Sequence, residues 1–264
     1  FVNLVDGTYS ITATVTDTAT NTTSDSTNNE LVIDNGAPTV SNVTSSNADG
    51  AYRAGTAIAI QVRFSEPVSV VTTLGSPTLV LNAATGRVAT YDAANSSGNV
   101  VAFTYTVQAG DNTADLDYAS TSALALNGAT IRDTAGNDAT LTLAAPAAAN
   151  SLGANKNIVI DTVAPTAPTV TRKTYNTTLP IIDGTATLAT GEKLTVVVNG
   201  ATYDNVNVIS GAWSVATSSL APTSGTLGAF VNGTTYSVTA TVTDRKSTRL
   251  NSSHEWISRM PSSA

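Results

Sequence analysis

The sequence predicts an all-β chain built as tandem sandwiches, on three observations. Apolar and polar residues alternate over short runs, with Tyr9, Ile11, Ala13 and Val15 on one face and Thr8, Ser10, Thr12, Thr14 and Thr16 on the other. Period two is the mark of a half-buried antiparallel strand. Strings recur: TYSITATVTD at 8–17 returns as TYSVTATVTD at 235–244, identical at nine of ten positions. LVIDNGAPTV at 31–40 echoes IVIDTVAPTA at 158–167, and DTATN at 17–21 echoes DTAGN at 133–137. Repeats of one supersecondary unit imply an array. Thr and Val abound, with Gly, Asn and Asp spaced as turns, which suits short strands at ~8–12-residue intervals.

Within a unit the order is a long strand ending in VTD, a Gly/Asn turn, a short strand ending in VID, and Ala-Pro. Pro38 and Pro165 hold the preceding residue extended and suit linkers. The chain therefore divides into 1–36, the C-terminal strands of a truncated domain; 37–162, a complete domain; and 163–244, a domain lacking its last strand. The middle domain carries strands near Thr39–Thr44, Thr56–Phe64, Thr78–Leu81, Arg87–Tyr91, Val100–Val107, Ala129–Arg132 and Asn157–Ile160. Its expected core face is Ile58, Ile60, Val62, Phe64, Phe103, Tyr105 and Val107. The third carries strands near Thr169–Arg172, Ile181–Ala186, Leu194–Asn199, Val206–Ile209, Ala212–Ala216 and Tyr236–Thr243. Helical pattern is confined to a short turn around Tyr118–Leu126.

VIDxxAPTV, FSEPV (Phe64–Val68), GDNTADLDY (Gly110–Tyr118), the IRDTAGN turn and the closing TVTD resemble tandem bacterial immunoglobulin-like repeats of large secreted adhesins and biofilm proteins. The resemblance spans 1–244 and implies tandem immunoglobulin-like β-sandwiches. The last twenty residues differ in composition. They hold four of the twelve basic residues, the single His (His254) and the single Met (Met260). DRKSTRLNSSH and SRMPSSA, flanking Glu255–Ile257, resemble the translation of a sequencing adapter around a sample barcode. Residues 245–264 are therefore expected to be an adapter-derived artefact, disordered and without consistent packing.

Composition narrows the chemistry. There is no Cys, and the single His falls in the tail, so disulfides, thiolate sites and Ser–His–Asp or Cys–His catalysis are unavailable to 1–244. Carboxylate pairs for glycoside hydrolysis lack an apolar setting that would raise one pKa. The chain reads as no enzyme. With 12 basic against 19 acidic residues it offers no basic patch for nucleic acid or anionic membrane. No apolar run approaches the ~20 residues of a membrane helix. The chain opens at Phe1 inside a strand pattern, with no signal peptide, and reads as an internal piece of a longer protein.

The informative groups are turn acids. In an immunoglobulin-like topology Asp6, Asp34, Asp133, Asn137 and Asp138 converge on the junction before the middle domain. Asp161, Asp111, Asp115, Asp117 and Asp244 converge on the junction after it. Hard oxygen ligands from separate loops are what Ca²⁺ takes, although Asp and Asn are also good turn formers. Tyr9 and Tyr236 suit tyrosine corners, and Trp213 suits the core. The expected function is a structural and adhesive segment, extracellular or on a bacterial surface, whose junctions calcium stiffens. Its partners are neighbouring repeats and, through other parts of the full-length protein, a host or surface receptor. The alternative is a carbohydrate- or ligand-binding module attached to a secreted enzyme, which scarce aromatics disfavour.

Overall fold

A computed structural model describes residues 4–25, 27–189, 191–244 and 250–257. With 38% strand and 3% helix the chain is all-β, and its sheets are antiparallel and sandwich-like. The strands are β1 (Gly7–Tyr9), β2 (Thr14–Thr16), β3 (Thr22–Ser24), β4 (Leu31–Ile33), β5 (Val40–Ser45), β6 (Gly50–Tyr52), β7 (Ala57–Phe64), β8 (Ser69–Val71), β9 (Thr78–Val80), β10 (Val88–Tyr91) and β11 (Val100–Thr106). They continue as β12 (Leu124–Ala125), β13 (Thr130–Arg132), β14 (Ile158–Ile160), β15 (Ile181–Thr185), β16 (Lys193–Val198), β17 (Ala201–Tyr203), β18 (Val208–Ile209), β19 (Ala212–Ala216), β20 (Ser224–Gly225), β21 (Tyr236–Thr243) and β22 (Leu250–Ile257). One helical turn, α1 (Leu152–Asn155), stands where the alternation gives no helix signal. Ser151 caps it by accepting from the Ala154 N–H.

The chain forms two compact units: residues 1–49, 57–106 and 115–158, and residues 50–56, 107–114 and 159–264. In the first unit a six-stranded sheet runs β12-β9-β10-β11-β7-β5. Its spine is the β7–β11 pair, where Ile60 faces Phe103 and Ile58 faces Tyr105. Alternation puts one side of each strand inside, and Ile58, Ile60, Val62, Phe64, Phe103 and Tyr105 are all at most 1% exposed. Val107, in the second unit, is likewise buried. The whole expected core face is therefore inside. A two-stranded sheet, β13-β8, completes the part of this unit that bears on function.

Ahead of that body, 4–36 folds as an antiparallel hairpin in which β1 pairs β4 and β2 pairs β3. Residues 10–13 leave the ladder. There the Glu30 carboxylate accepts the Ile11 N–H and Ser10 Oγ accepts the Asn29 N–H. The half-buried face expected of Tyr9, Ile11, Ala13 and Val15 is mostly open: Ile11 is 53% and Val15 69% exposed. Nothing in the hairpin itself is large enough to cover that face, so alternation alone does not bury it.

In the second unit one sheet runs β15-β19-β18 and another β20-β17-β16-β21-β22. Their core includes Ile182, Trp213, Val215, Leu194, Val196, Val238, Ala240 and Val242. Trp213 is buried as expected, and its ring N–H lies 3.1 Å from the Thr169 carbonyl and 3.3 Å from that of Thr185. Three expectations change. Residues 169–172 run beside β15, with Thr169 and Thr171 donating to Thr185 and Asp183, but they form no strand. Tyr118–Leu126 is no helical turn, because Tyr118 bridges to Leu81 and Leu124–Ala125 joins the sheet as β12. Of the tail expected to be disordered, 245–249 and 258–264 lie outside the described residues, and 250–257 forms a strand that pairs with β21 from Tyr236↔Ile257 to Thr243↔Leu250. The open edge of a long strand offers a row of N–H and C=O groups to any extended segment, whatever its composition.

Candidate cation site

The antiparallel ladders decide which acids meet. Because β5 runs against β7, the chain entering β5 lies beside the chain leaving β7. Ser65 N–H donates to the Thr39 carbonyl and Ser65 Oγ accepts the Thr39 N–H. Glu66 is therefore delivered to the linker that carries Asp34. In the other sheet Arg132 pairs with Ser69, so Asp133, the next residue, returns to the same end. One oxygen each from Asp34, Glu66 and Asp133 lies within 4.8 Å of the others. Oxygens bound to one ion at about 2.4 Å stand at most ~4.8 Å apart, so the three fit one Ca²⁺ sphere.

Asp133 is 6% exposed and sits in a tight turn. Its Oδ1 accepts the Gly136 and Asn137 N–H groups, and its Oδ2 accepts the Asn137 side-chain amide. The same amide donates to the Asp34 backbone carbonyl at 3.0 Å, which ties the turn to the linker. Asp6 braces the linker from the other side, accepting both the backbone and the side-chain N–H of Asn35. Asp34 Oδ1 accepts the Gly36 N–H.

These contacts set the electrostatics. Burial raises the Glu66 pKa above its ordinary value, and the Asp34 and Asp133 charges raise it further. Burial pushes Asp133 the same way. Hydrogen bonds from the Asn137 side chain and from the Asn137 and Gly136 N–H groups outweigh it, and the net direction is down. The site thus holds one carboxylate whose ionised form is stabilised by donors beside one whose ionised form is disfavoured by burial and by its acidic neighbours. Such a set can hold a divalent cation. It holds no nucleophile–base pair.

Of the expected first set, Asp34 and Asp133 are brought together, while Asn137 and Asp6 surround them as braces. Asp138 turns away into an ion pair with Arg132 at 2.6 Å. Glu66 is not among the expected ligands, which are all turn Asp and Asn. Pairing of 39–44 with 56–64, both expected strands, was the signal that could have found it.

Among the described residues no second three-acid group converges. Asp161 caps its own turn by accepting the Val163 N–H, and Asp111, fully buried, accepts the Gln108 N–H. Asp117 accepts the Tyr118 and Ala147 N–H groups. Asp115 lies beside it, its pKa raised by burial and then by the Asp117 charge. A Cβ at Gly153 would come within 2.9 Å of an oxygen of each. Asp244 is 7% exposed at the end of β21. The second unit also has an open cleft of about 660 Å³, lined by Asp183, Asp204, Asn205, Asn207 and Ser214 with Trp213 and Ile209.

No protein-family model matches the chain, and no curated protein matches it. Among the described residues no helix is long and apolar enough to cross a membrane.

Proposed function

We propose that the chain is a structural and adhesive segment of a bacterial surface or secreted protein. It is built of tandem immunoglobulin-like repeats, and calcium stiffens the place where one repeat leads into the next. The observation that carries this reading is the meeting of Asp34, Glu66 and Asp133 where the 4–36 hairpin enters the following body. Asp34 belongs to the linker, and Glu66 and Asp133 belong to the body. An ion shared by all three removes hinge freedom from the linker, so successive repeats hold one direction and carry a binding tip outward. On this reading residues 245–264 have no part in the function.

A carbohydrate-binding role is disfavoured at the cleft of the second unit. Trp213 and Tyr203 are 2% and 1% exposed, so neither offers a ring face to a sugar. The test is small-angle scattering of the full chain in millimolar Ca²⁺ and in chelator, paired with a glycan array. A larger maximum dimension in Ca²⁺ with no glycan bound supports the stalk. An unchanged dimension with selective glycan binding replaces it with the binding module.

A further inference from the structure

The same strand sequence occurs twice, in two opposite states of burial. In β21, Val238, Ala240 and Val242 are fully buried under the sandwich body that runs from Val170 to Phe230. Their counterparts in the first hairpin, Ile11, Ala13 and Val15, are exposed, Val15 by 69%. The tyrosines that open the two strands behave alike. Tyr9 Oη donates to the Val5 carbonyl, and Tyr236 Oη accepts the Val231 N–H and donates to the Ala229 carbonyl. Both hydroxyls reach back to backbone a few residues upstream, as a tyrosine corner does. Local conformation at the strand start is thus shared, and only the cover over the apolar face differs.

The outer edge of each strand is also paired, although β22 is not a repeat element. Thr16 pairs with Thr22 and Tyr9 with Leu31 in the hairpin, while Thr243 pairs with Leu250 and Tyr236 with Ile257 at β21. In each case the paired strand runs antiparallel. The first hairpin therefore has its return strand and lacks a cover, and β21 shows which cover fits that face.

We propose that the stripe Tyr9–Ile11–Ala13–Val15 is a docking face for a sandwich body of this chain's own repeat type, with β3 and β4 riding along as the closing edge. The occupant is an apolar sheet face of the kind that Ile182, Trp213 and Val215 present to β21. Nine of the ten residues are shared, and the one difference on that face is conservative, Ile11 for Val238. The inference does not use the cation site, and its test is run in chelator.

The chain lacks cysteine, so single thiols report burial without background. Val15→Cys in the full chain is expected to react rapidly with a maleimide, and Thr16→Cys, on the opposite face, equally so. When a copy of residues 163–234 replaces residues 1–7 ahead of Thr8, the Val15→Cys thiol is expected to slow at least a hundredfold. The Thr16→Cys thiol keeps its rate. A third variant, Val215→Cys within the added copy, is expected to be as protected as the same substitution at its own position. Unchanged labelling of Val15→Cys overturns the proposal. So does rapid labelling of the added Val215→Cys, because it shows that the hairpin does not complete the body.

Discussion

Single side chains in this protein carry opposite liabilities, and three substitutions separate them. Tyr203 is 1% exposed, and its hydroxyl is the buried side-chain polar atom without a partner among the described residues. Burial raises its pKa, so it stays a neutral phenol. Deleting an unpartnered buried hydroxyl removes a desolvation cost of ~1–3 kcal/mol. Tyr203→Phe is therefore expected to leave stability unchanged or raise it in denaturant titration. Gly184 is the reverse case. A Cβ there would come within 1.9 Å of the Thr169 carbonyl and 2.6 Å of the Trp213 ring. Gly184→Ala must push backbone and indole apart, and a loss of about 1–3 kcal/mol is expected, with altered tryptophan fluorescence.

Glu66 supplies the pH signature. Its folded pKa lies above the ordinary 4.5, so ionising it opposes folding. That penalty is absent below about pH 4.5, grows through the window up to the raised pKa, and is complete above it. Asp133 has the opposite sign. Its depressed pKa gives stability that is full above about 3.8 and lost as pH falls through the folded value. In chelator Glu66→Gln is expected to melt higher than the parent at pH 7, and the difference should close near pH 4. Adding Ca²⁺ at pH 7 is expected to reverse the order.

At the scale of elements, the β7–β11 pair is the part of the fold most legible in the sequence. Period-two alternation names one face, and a core under that face buries it. Phe103 is fully buried, edge-on to Tyr91 at 6.3 Å. Phe103→Ala is expected to cost ~3–5 kcal/mol in urea unfolding of the full chain, and a cost below 1 kcal/mol would mean that β11 faces the other way. The first hairpin carries an equally clean alternation and is exposed, because a pattern states which face could be buried and not whether a cover is present. Short elements were harder to read. β6, β8, β17 and β20 span two or three residues, too few for a period to register. α1 is one turn held by the Ser151 cap rather than by an apolar stripe. The candidate site is half legible: an immunoglobulin-like topology points to Asp34 and Asp133, whereas Glu66 follows from strand register, which composition does not contain. Asp138 stands apart for a plain reason, since it pairs with Arg132.

For the molecule as a whole, the three acids from linker and body are expected to act as one cation site. Binding to the folded state alone adds RT ln(1 + [L]/Kd), about 2.7 kcal/mol at a hundredfold excess over Kd, so the ion would add stability as well as stiffness. Magnesium is expected to substitute poorly, because it demands a tighter octahedron than loop carboxylates readily supply. The decisive measurement is calorimetric titration of Ca²⁺ into the full chain, alongside Asp34→Asn and Glu66→Gln. Saturable binding with Kd of about 10⁻³ M or tighter, lost in both variants, is the expected result. No binding up to roughly 10 mM, or binding that survives both substitutions, would contradict the claim and return Asp34, Glu66 and Asp133 to the role of turn-forming and solvating acids.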